Sequence, residues 1–283
     1  MDEHARTPAI SADARIPDHY EQQYGSFAEE IYGAIRDEAC GEDFGQNSWH
    51  TAAEHDRLRA WLELDASSRL LDVGSGGGGP TLRMARLSGC RVVGIDMQAE
   101  GIVAARAAAE RAGLAERTTF EQHDASQPLP FPDASFDAVL CIDAINHLAD
   151  RPAAQREWWR VLKPGGRLVF TDPIIVTGPL SNEEVAIRAV VALFLFVPLG
   201  YDERVLAEVG FAVEIAEDRT EDIALVAGRF HDARAKREAV LREIEGDERY
   251  AKLQTFFAMC ARLAREGLLS RFAYLARKPV GAA

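Results

Sequence analysis

The sequence predicts an α/β fold built around a mainly parallel sheet. Between Arg69 and Thr171, five short apolar runs alternate with segments of helix-forming composition. Alternation of strands and helices at this spacing is typical of a parallel sheet that is covered by helices on both faces. The first apolar run also leads directly into a glycine-rich loop, Gly74 to Gly79, where the backbone is expected to turn sharply beside a ligand.

Each strand and helix has a local signal. Short apolar runs predict strands at residues 70–73, 91–95, 118–122, 137–142 and 167–171, and a final hairpin at residues 211–216 and 270–277. Helical patterns predict helices at residues 20–38, 52–63, 80–88, 98–112 and 152–162. Thr51 followed by Glu54 is a capping box, which fixes the expected start of the second of these helices.

Helical insertions are predicted in the second half of the chain, at about residues 178–200 and 220–268. Ser181 and Glu184 form a second capping box, which predicts an unusually apolar helix that continues to about Val197. A helix this apolar is not expected to lie free on the surface. We expect it to be either the wall of a substrate pocket or the contact of a homodimer.

Composition excludes several classes of partner. The chain has 283 residues, with 32 Lys and Arg against 45 Asp and Glu, so its net charge is −13. Proteins that bind duplex nucleic acid usually carry the opposite sign, and no nucleic-acid partner is expected. The longest apolar run, residues 189–199, has eleven residues. A bilayer needs about 20, so no membrane span is expected.

The four cysteines, Cys40, Cys90, Cys141 and Cys260, are widely spaced. They form neither a zinc-binding pattern nor a disulfide framework, so no metal site is expected. Reduced thiols are the simplest interpretation, and the first 25 residues are too polar for a signal peptide. The sequence therefore predicts a cytoplasmic protein.

The glycine-rich loop carries the strongest chemical signal. Glycines are needed where the backbone approaches a ligand so closely that a Cβ atom would collide with it. The helix that follows presents the positive end of its dipole to an anionic group. The loop lacks the Gly-Lys-Ser/Thr ending of a phosphate-binding loop, which argues against ATP or GTP hydrolysis.

Four further motifs follow in a fixed order along the chain. Asp96 ends the second strand, 22 residues after Gly74, where a carboxylate can accept hydrogen bonds from a ribose diol. The other three are His123-Asp124-Ala125 after the third strand, the segment 131–137 before the fourth, and the segment 162–167 before the fifth.

Together these motifs resemble the class I S-adenosylmethionine-dependent methyltransferases, closely over residues 68–173. The nearer resemblance is to small-molecule enzymes related to the sarcosine, phosphoethanolamine and tocopherol methyltransferases. It implies a Rossmann-like, seven-stranded sheet of order 3-2-1-4-5-7-6 with an antiparallel final hairpin. It also implies S-adenosyl-L-methionine as cofactor and S-adenosyl-L-homocysteine as product.

The resemblance assigns cofactor contacts to Asp72, Gly74, Ser75, Gly76, Asp96, Met97, Asp124, Ala125 and Cys141. Asp72 and the loop correspond to residues that hold the methionine part, and Asp96 to the residue that holds the ribose. Met97 and the Asp124-Ala125 pair correspond to the adenine site, and Cys141 to the strand end beneath the sulfonium. Ordinary core packing for Met97 and local capping for Asp124 remain alternatives.

Signals for the methyl acceptor are weaker. His147 lies just beyond the fourth strand, where a histidine can take a proton from the acceptor; the alternative is a histidine without a catalytic role, as is often found there in the resembling family. Asp143 is a weaker candidate for a polar contact. Tyr20 and Tyr24 resemble the tyrosine-bearing N-terminal lid of small-molecule methyltransferases, and aromatic faces attract a sulfonium; helix packing is the alternative. Residues 47–49 resemble a segment that lies beside the methionine end of the cofactor in related enzymes.

The sequence therefore predicts an N-terminal helical lid at residues 1–66 and a methyltransferase domain at residues 67–283. Its expected function is methyl transfer to a nitrogen, oxygen or carbon atom of a small organic metabolite. The apolar insertion and the negative net charge favour that kind of acceptor over a macromolecule. Two alternatives remain, a nucleotide-binding oxidoreductase and a non-catalytic protein that binds S-adenosylmethionine.

Overall fold

The protein is described by a computed structural model that covers residues 30–192 and 194–281. Within these ranges the strands are β1 (Arg69–Val73), β2 (Arg91–Asp96), β3 (Thr118–Gln122), β4 (Phe136–Ile142), β5 (Leu162–Val176), β6 (Val197–Pro198), β7 (Ala212–Asp218) and β8 (Leu269–Arg277). The helices before β5 are α1 (Glu30–Cys40), α2 (Ala52–Leu62), α3 (Gly79–Ser88), α4 (Ala99–Arg111) and α5 (Arg151–Val161). Those after it are α6 (Asn182–Arg188), α7 (Tyr201–Val209), α8 (Thr220–Ala235), α9 (Glu238–Glu245) and α10 (Asp247–Arg265).

The strands form one sheet of order β3-β2-β1-β4-β5-β8-β7. The first five of these pair in parallel, and β8 runs antiparallel to both β5 and β7. This confirms the predicted order and the single antiparallel strand near one edge. The sequence did not predict β6, which adds two residues beside the end of β5.

Alternating side chains of the central strands enter two different cores. On β1, Leu70 packs with α2 and α3, whereas Leu71 packs on the other face with α5 and α7. Both leucines are completely buried. This two-sided burial explains why the strands read as continuous apolar runs. It also leaves the carboxyl ends of the strands as the edge where polar side chains can gather.

Helix α2 begins where predicted, but its capping box is only half formed. The Thr51 side chain accepts a hydrogen bond from the Glu54 backbone N–H at 3.2 Å. The Glu54 carboxylate does not return to the cap and instead pairs with Arg271 of β8, 2.6 Å away. A partner 217 residues away in the sequence thus replaces the local one, because both side chains are buried together.

The prediction that an apolar helix reaches Val197 is wrong about the length of this helix. Its capping box forms as expected, but α6 ends at Arg188. Beyond it, the Leu195 N–H donates to the Asn146 carbonyl at 2.8 Å, and Val197 pairs with Ile175 of β5. These tertiary hydrogen bonds satisfy the backbone without a helix, so packing overrides the local pattern. Within residues 30–192 and 194–281, no helix combines the length and apolar character that a bilayer span requires.

A buried charge cluster fastens α5 and α7 to the sheet. The guanidinium of Arg151 lies 2.5 Å from the Asp172 carboxylate of β5 and 3.0 Å from that of Asp202 in α7, and all three side chains are inaccessible to solvent. Its Nη2 also donates to the Leu195 carbonyl at 2.9 Å. One arginine therefore pairs with two acidic side chains and holds the chain that follows α6. Burial, together with the nearby charge of Asp172, raises the pKa of Asp202 to about 8, so Arg151 does not face two full negative charges at neutral pH.

Replacing Arg151 with methionine should leave both carboxylates buried without their cation. We expect a loss of about 3–5 kcal/mol in the free energy of unfolding, measured by urea denaturation at neutral pH. The matched control is Arg204→Met, which removes a pair with Glu208 that is well exposed to solvent and should change stability by less than about 1 kcal/mol. Equal stability of the two variants would contradict this role.

Candidate active site

The loop between β1 and α3 is shaped by glycines that no other residue can replace without strain. Gly74 has a φ of +77°, and a Cβ atom there would lie 2.5 Å from the Ala144 Cβ. A Cβ atom on Gly79 would lie 2.3 Å from the carbonyl oxygens of Phe44 and Gly45. The loop is therefore held between the end of β4 on one side and the segment before α2 on the other.

Asp96, at the end of β2, fastens this loop to the sheet. One carboxylate oxygen accepts a hydrogen bond from the Gly76 N–H at 2.8 Å, and the other accepts one from the Gln98 N–H at 2.9 Å. Burial raises the pKa of this carboxyl above its usual range. Each oxygen has a further lone pair, so the carboxylate can still accept hydrogen bonds from a diol.

Asp72 lies beneath the loop and is buried. The Thr81 hydroxyl donates to its carboxylate at 2.5 Å. Desolvation raises the Asp72 pKa to about 7, and the nearby charge of Asp96 acts in the same direction. A cationic ligand beside Asp72 would lower this pKa again, because the positive charge favours the ionised form of the carboxyl.

Beside the loop lies a cavity of about 370 Å³. Its lining residues are Gly45, Asn47, Ser48, Asp72, Gly74, Ser75, Gly76, Gly77, Pro80 and Ile142. The Ser75 hydroxyl is buried there without a hydrogen-bond partner among the described residues. A carboxylate, an unpartnered hydroxyl and a glycine turn are what a ligand with ammonium and hydroxyl groups requires, so these residues fit the predicted cofactor.

The segment before α2 forms the other side of this cavity. The Ser48 hydroxyl lies 2.5 Å from Nδ1 of His50, whose ring packs with those of Phe44 and His55. Burial holds the pKa of His50 well below its usual range and lowers that of His55 to about 4. Both imidazoles are therefore neutral at physiological pH and serve as packing groups.

Asp143 joins this segment to the sheet. Its carboxylate accepts hydrogen bonds from the Trp49 N–H at 2.9 Å, the Thr171 hydroxyl at 2.7 Å and the Arg271 Nε at 2.9 Å. Asp143 has a φ of +50°, a conformation that few residues other than glycine adopt. The three hydrogen bonds hold the residue in it.

A second, larger cavity of about 1060 Å³ adjoins the first, and Asn47 and Ser48 line both. Its apolar wall contains Trp49, Val191, Phe194, Phe230, Phe256 and Phe257. Its polar groups include Arg36, Asp143, Asn146, His147, Arg188, Arg234 and Glu245. The predicted insertions, through α6, the stretch after it and α8–α10, supply about half of this wall, and α1, the segment before α2 and the turn after β4 supply most of the rest.

His147 lies in a short 3-10 helix, Ile145–His147, and lines the larger cavity. Its ring centroid is 4.9 Å from that of Phe194. The sequence predicted a histidine at the ligand edge of the sheet, and the structure puts it there. The apolar stretch after α6 lies in the same cavity wall, since Val191 and Phe194 both line it.

Some of the predicted cofactor residues line the smaller cavity, and others lie away from it. Asp72, Gly74, Ser75 and Gly76 line the smaller cavity, and Asp96 reaches it through Gly76. Met97, at the end of β2, is 48% exposed. Cys141 instead lies fully buried in the core, while its neighbour Ile142 lines the cavity. Tyr20 and Tyr24 lie outside the described residues.

The Asp124-Ala125 pair follows β3. Asp124 is exposed, and its carboxylate accepts hydrogen bonds from the Ser126 hydroxyl at 2.5 Å and the Ser126 N–H at 2.9 Å. Partial desolvation raises the pKa of this carboxyl, but these hydrogen bonds outweigh it and lower the pKa overall. Ala125 is half-buried against the core. The structure therefore contains the local cap that was the alternative role for Asp124. The Asp124 carboxylate is nevertheless exposed and accessible to a ligand.

The sequence did not predict the importance of two residues at this site, Asp143 and Arg188. Asp143 was a minor candidate, and nothing local announces that Arg271 and Trp49 meet it. Arg188 was visible only as the charge that precedes a long apolar run. In the structure its side chain is buried in the larger cavity. The described residues contain no group of three or more His, Cys, Asp or Glu side chains arranged to hold a metal ion.

Comparison with known proteins identifies the family. A family model described as a methyltransferase domain matches residues 71–170. The 27-O-demethylrifamycin SV methyltransferase of Amycolatopsis mediterranei is 33% identical over 282 residues, covering 93% of this chain and 98% of that relative. The chain belongs to the class I S-adenosylmethionine-dependent methyltransferases. S-adenosylmethionine is accordingly its cofactor, and the predicted family is confirmed.

Other relatives match less completely. The glycine/sarcosine/dimethylglycine N-methyltransferase of Actinopolyspora halophila is 30% identical over 208 residues, covering 72% of this chain, which spans only 36% of that relative. Among solved structures, the [4+2]-cyclase SpnF is similar with a TM-score of 0.73 and 26% identity, covering 94% of this chain and 98% of that one. The same architecture thus extends over nearly the whole chain.

Removing the Asp96 carboxylate should weaken cofactor binding. Asp96→Ala loses the acceptor for the ribose hydroxyls and the anchor of the Gly76 N–H, and charge-assisted hydrogen bonds contribute roughly 1.5–3 kcal/mol. We expect affinity for S-adenosylhomocysteine to fall about ten- to hundredfold in calorimetric titration. Glu110→Ala, at an exposed acid of α4, is the control. Unchanged affinity in a folded Asp96→Ala protein would remove the ribose assignment.

Proposed function

We propose that this protein transfers the methyl group of S-adenosylmethionine to a small organic acceptor by direct displacement. The observation that carries the proposal is the shared wall of the two cavities, formed by Asn47 and Ser48. The glycine loop and Asp72 line one side, and His147 and the aromatic wall line the other. A cofactor in the smaller cavity and an acceptor in the larger one would therefore meet at this wall.

When bound, S-adenosylmethionine supplies an electrophilic methyl group on a sulfonium sulfur. The task of this chain is then to align the acceptor and to exclude water from the reacting atoms. Asp72, the glycine loop and Asp96 hold the cofactor side, and Trp49 and Phe256 give the acceptor an apolar surface to pack against. Direct displacement of the methyl group from sulfur requires no nucleophile from the protein, because the acceptor atom attacks the methyl group itself.

His147 is proposed as the group that orients the acceptor and takes its proton when it carries one. Its ring is packed against Phe194, which limits the directions in which the nitrogens can face. An imidazole at the ligand edge of the sheet can act as a general base near neutral pH. For an acceptor amine that is already neutral, alignment alone would suffice.

We also propose the division into a lid, residues 1–66, and a methyltransferase domain, residues 67–283. Its support is that Tyr32 and Ile35 of α1 line the larger cavity together with the segment before α2. Tyr20 and Tyr24, which precede α1, are proposed to belong to the same lid. Their aromatic faces suit a sulfonium.

A cytoplasmic location is supported by the four cysteines, which are all free and buried. The net charge of −13 favours a small acceptor over nucleic acid. The homodimer stays a prediction. Its sequence argument is weakened because the apolar residues after α6 line the acceptor cavity, which supports the pocket-wall alternative.

A second candidate function is cyclisation of a bound substrate without methyl transfer. It is favoured by the similarity to the [4+2]-cyclase SpnF over nearly the whole of both chains. Methyl transfer is preferred because the rifamycin-modifying relative, which matches over 98% of its length, is a methyltransferase by name.

Incubation with methyl-labelled cofactor and a library of small metabolites separates these functions. We expect label in one or more small products, identified by mass spectrometry as the acceptor plus one methyl group. Parallel reactions with protein, DNA and RNA should incorporate none. Label in protein, DNA or RNA with none in small molecules would contradict the proposed acceptor, and binding of S-adenosylhomocysteine with no label in any reaction would favour the second candidate.

For an acceptor that carries a proton, His147→Ala should lower the maximal rate about a hundredfold or more while cofactor affinity stays nearly intact. The wild-type rate should also fall at acid pH, because a protonated imidazole cannot accept a proton. His231→Ala, at a partly exposed histidine paired with Asp232, is the control and should keep full activity. Wild-type rates in His147→Ala between about pH 5.5 and about pH 8.5 would remove His147 from the mechanism.

A further inference from the structure

Arg188 is a buried cation inside the acceptor cavity. It is the last residue of α6, and only 1% of its surface is exposed. Its guanidinium carbon lies 4.8 Å from the ring centroid of Phe194, 5.2 Å from that of Phe256 and 5.8 Å from that of Trp49. Three aromatic rings therefore surround a charge that faces the space where an acceptor would lie.

No described residue accepts a hydrogen bond from Nε or Nη1 of Arg188, although both atoms are buried. Other arginines of the same wall are paired. Arg36 lies 2.7 Å from Asp43, and Arg234 lies 2.6 Å from Glu245.

The two acids of the cavity are already bound to other cations. Glu245 is held by Arg234, and Asp143 is held by Arg271, 2.9 Å away. Neither carboxylate therefore neutralises Arg188. The described part of the cavity wall therefore presents a guanidinium whose Nε and Nη1 donors have no acceptor.

Burying an unpaired charge is costly, and a chain without a use for it would place an apolar side chain there. Contact with aromatic faces offsets part of the cost but leaves the N–H donors unsatisfied. An oxyanion would satisfy them, and a guanidinium binds carboxylates and phosphates with two parallel hydrogen bonds. The whole chain carries a net charge of −13, so a local cation such as this one would have to offset the long-range repulsion of an anion.

We propose that Arg188 binds an oxyanion, a carboxylate or a phosphate ester, on the methyl acceptor, and that Trp49, Phe194 and Phe256 pack against the apolar body that carries it. Arg188 lines the larger cavity and not the smaller one, so the anion belongs to the acceptor and not to the cofactor. The inference rests on the proposed function only in naming the bound molecule as the acceptor. It makes Arg188 a determinant of specificity.

Three probes of one shape test this proposal: 2-naphthoate, 2-naphthyl phosphate and the neutral 2-naphthamide. Each is titrated into the protein by calorimetry, with and without saturating S-adenosylhomocysteine. We expect at least one anion to bind about tenfold or more tightly than the amide. The tighter of the two anions identifies the carboxylate or the phosphate ester. Equal affinity for the anions and the amide, or binding of none of them, would overturn the proposal.

The variant Arg188→Met should abolish the preference for the anion and leave the affinity for 2-naphthamide nearly unchanged. Arg204→Met, at an exposed residue of α7 that does not line the cavity, should keep the wild-type preference. A preference that survives in Arg188→Met would assign the anion to another cation. S-adenosylhomocysteine binding is read separately, so its absence in the wild type would count against the proposed function while the titrations without it still decide the anion site.

Thermal unfolding without ligands separates a binding role from a structural one. If Arg188 is kept for a ligand, Arg188→Met should raise the midpoint by about 2–4 °C, because it replaces an unsatisfied buried charge with an apolar side chain of similar length. Arg234→Met, in the same wall, should lower the midpoint because Glu245 loses its cation. A lowered midpoint in Arg188→Met would show that the aromatic cage uses the arginine for stability, against the proposal.

Discussion

The Asp143 carboxylate receives donors from three distant parts of the chain: the Trp49 N–H, the Thr171 hydroxyl and the Arg271 guanidinium. These hydrogen bonds fix the segment that carries Asn47 and Ser48 against the ends of the strands. The boundary between the two cavities depends on that position. Arg271 also holds Glu54 at the start of α2, so a single buried arginine sets both the entry to this helix and the wall in front of it.

The sheet was predictable because its signals are local. Each central strand is an apolar run that ends in turn residues, and Asp96 and Gly74 lie at strand ends where any parallel sheet gathers its ligand contacts. The end of α6 was not predictable, since it depends on a hydrogen bond to the Asn146 carbonyl from a residue 49 positions later. Arg188 escaped notice for a related reason: burial of a cation is decided by neighbours from α10 and from the segment before α2.

Charge is distributed unevenly between the outside and the inside of this protein. Acidic residues outnumber basic ones by thirteen, yet the acceptor cavity is lined by arginines on several elements. Two of these arginines are matched by a carboxylate: Arg36 pairs with Asp43 in the segment after α1, and Arg234 pairs with Glu245 and so joins α8 to α9. Packing among the aromatic rings of the same wall then fills the spaces between the ion pairs, for example at Phe230 and Phe257, whose centroids are 5.2 Å apart.

Strand β8 lies between β5 and β7 and supplies Arg271 to the centre of the molecule. Glu54, the partner of Arg271, lies 217 positions earlier in the sequence, so this contact closes a loop that spans most of the chain. During synthesis, β1 to β5 emerge long before this strand does. Translation must therefore proceed beyond Arg271 before the boundary between the two cavities can form. A nascent chain that already holds its glycine loop still lacks the surface on which an acceptor is received.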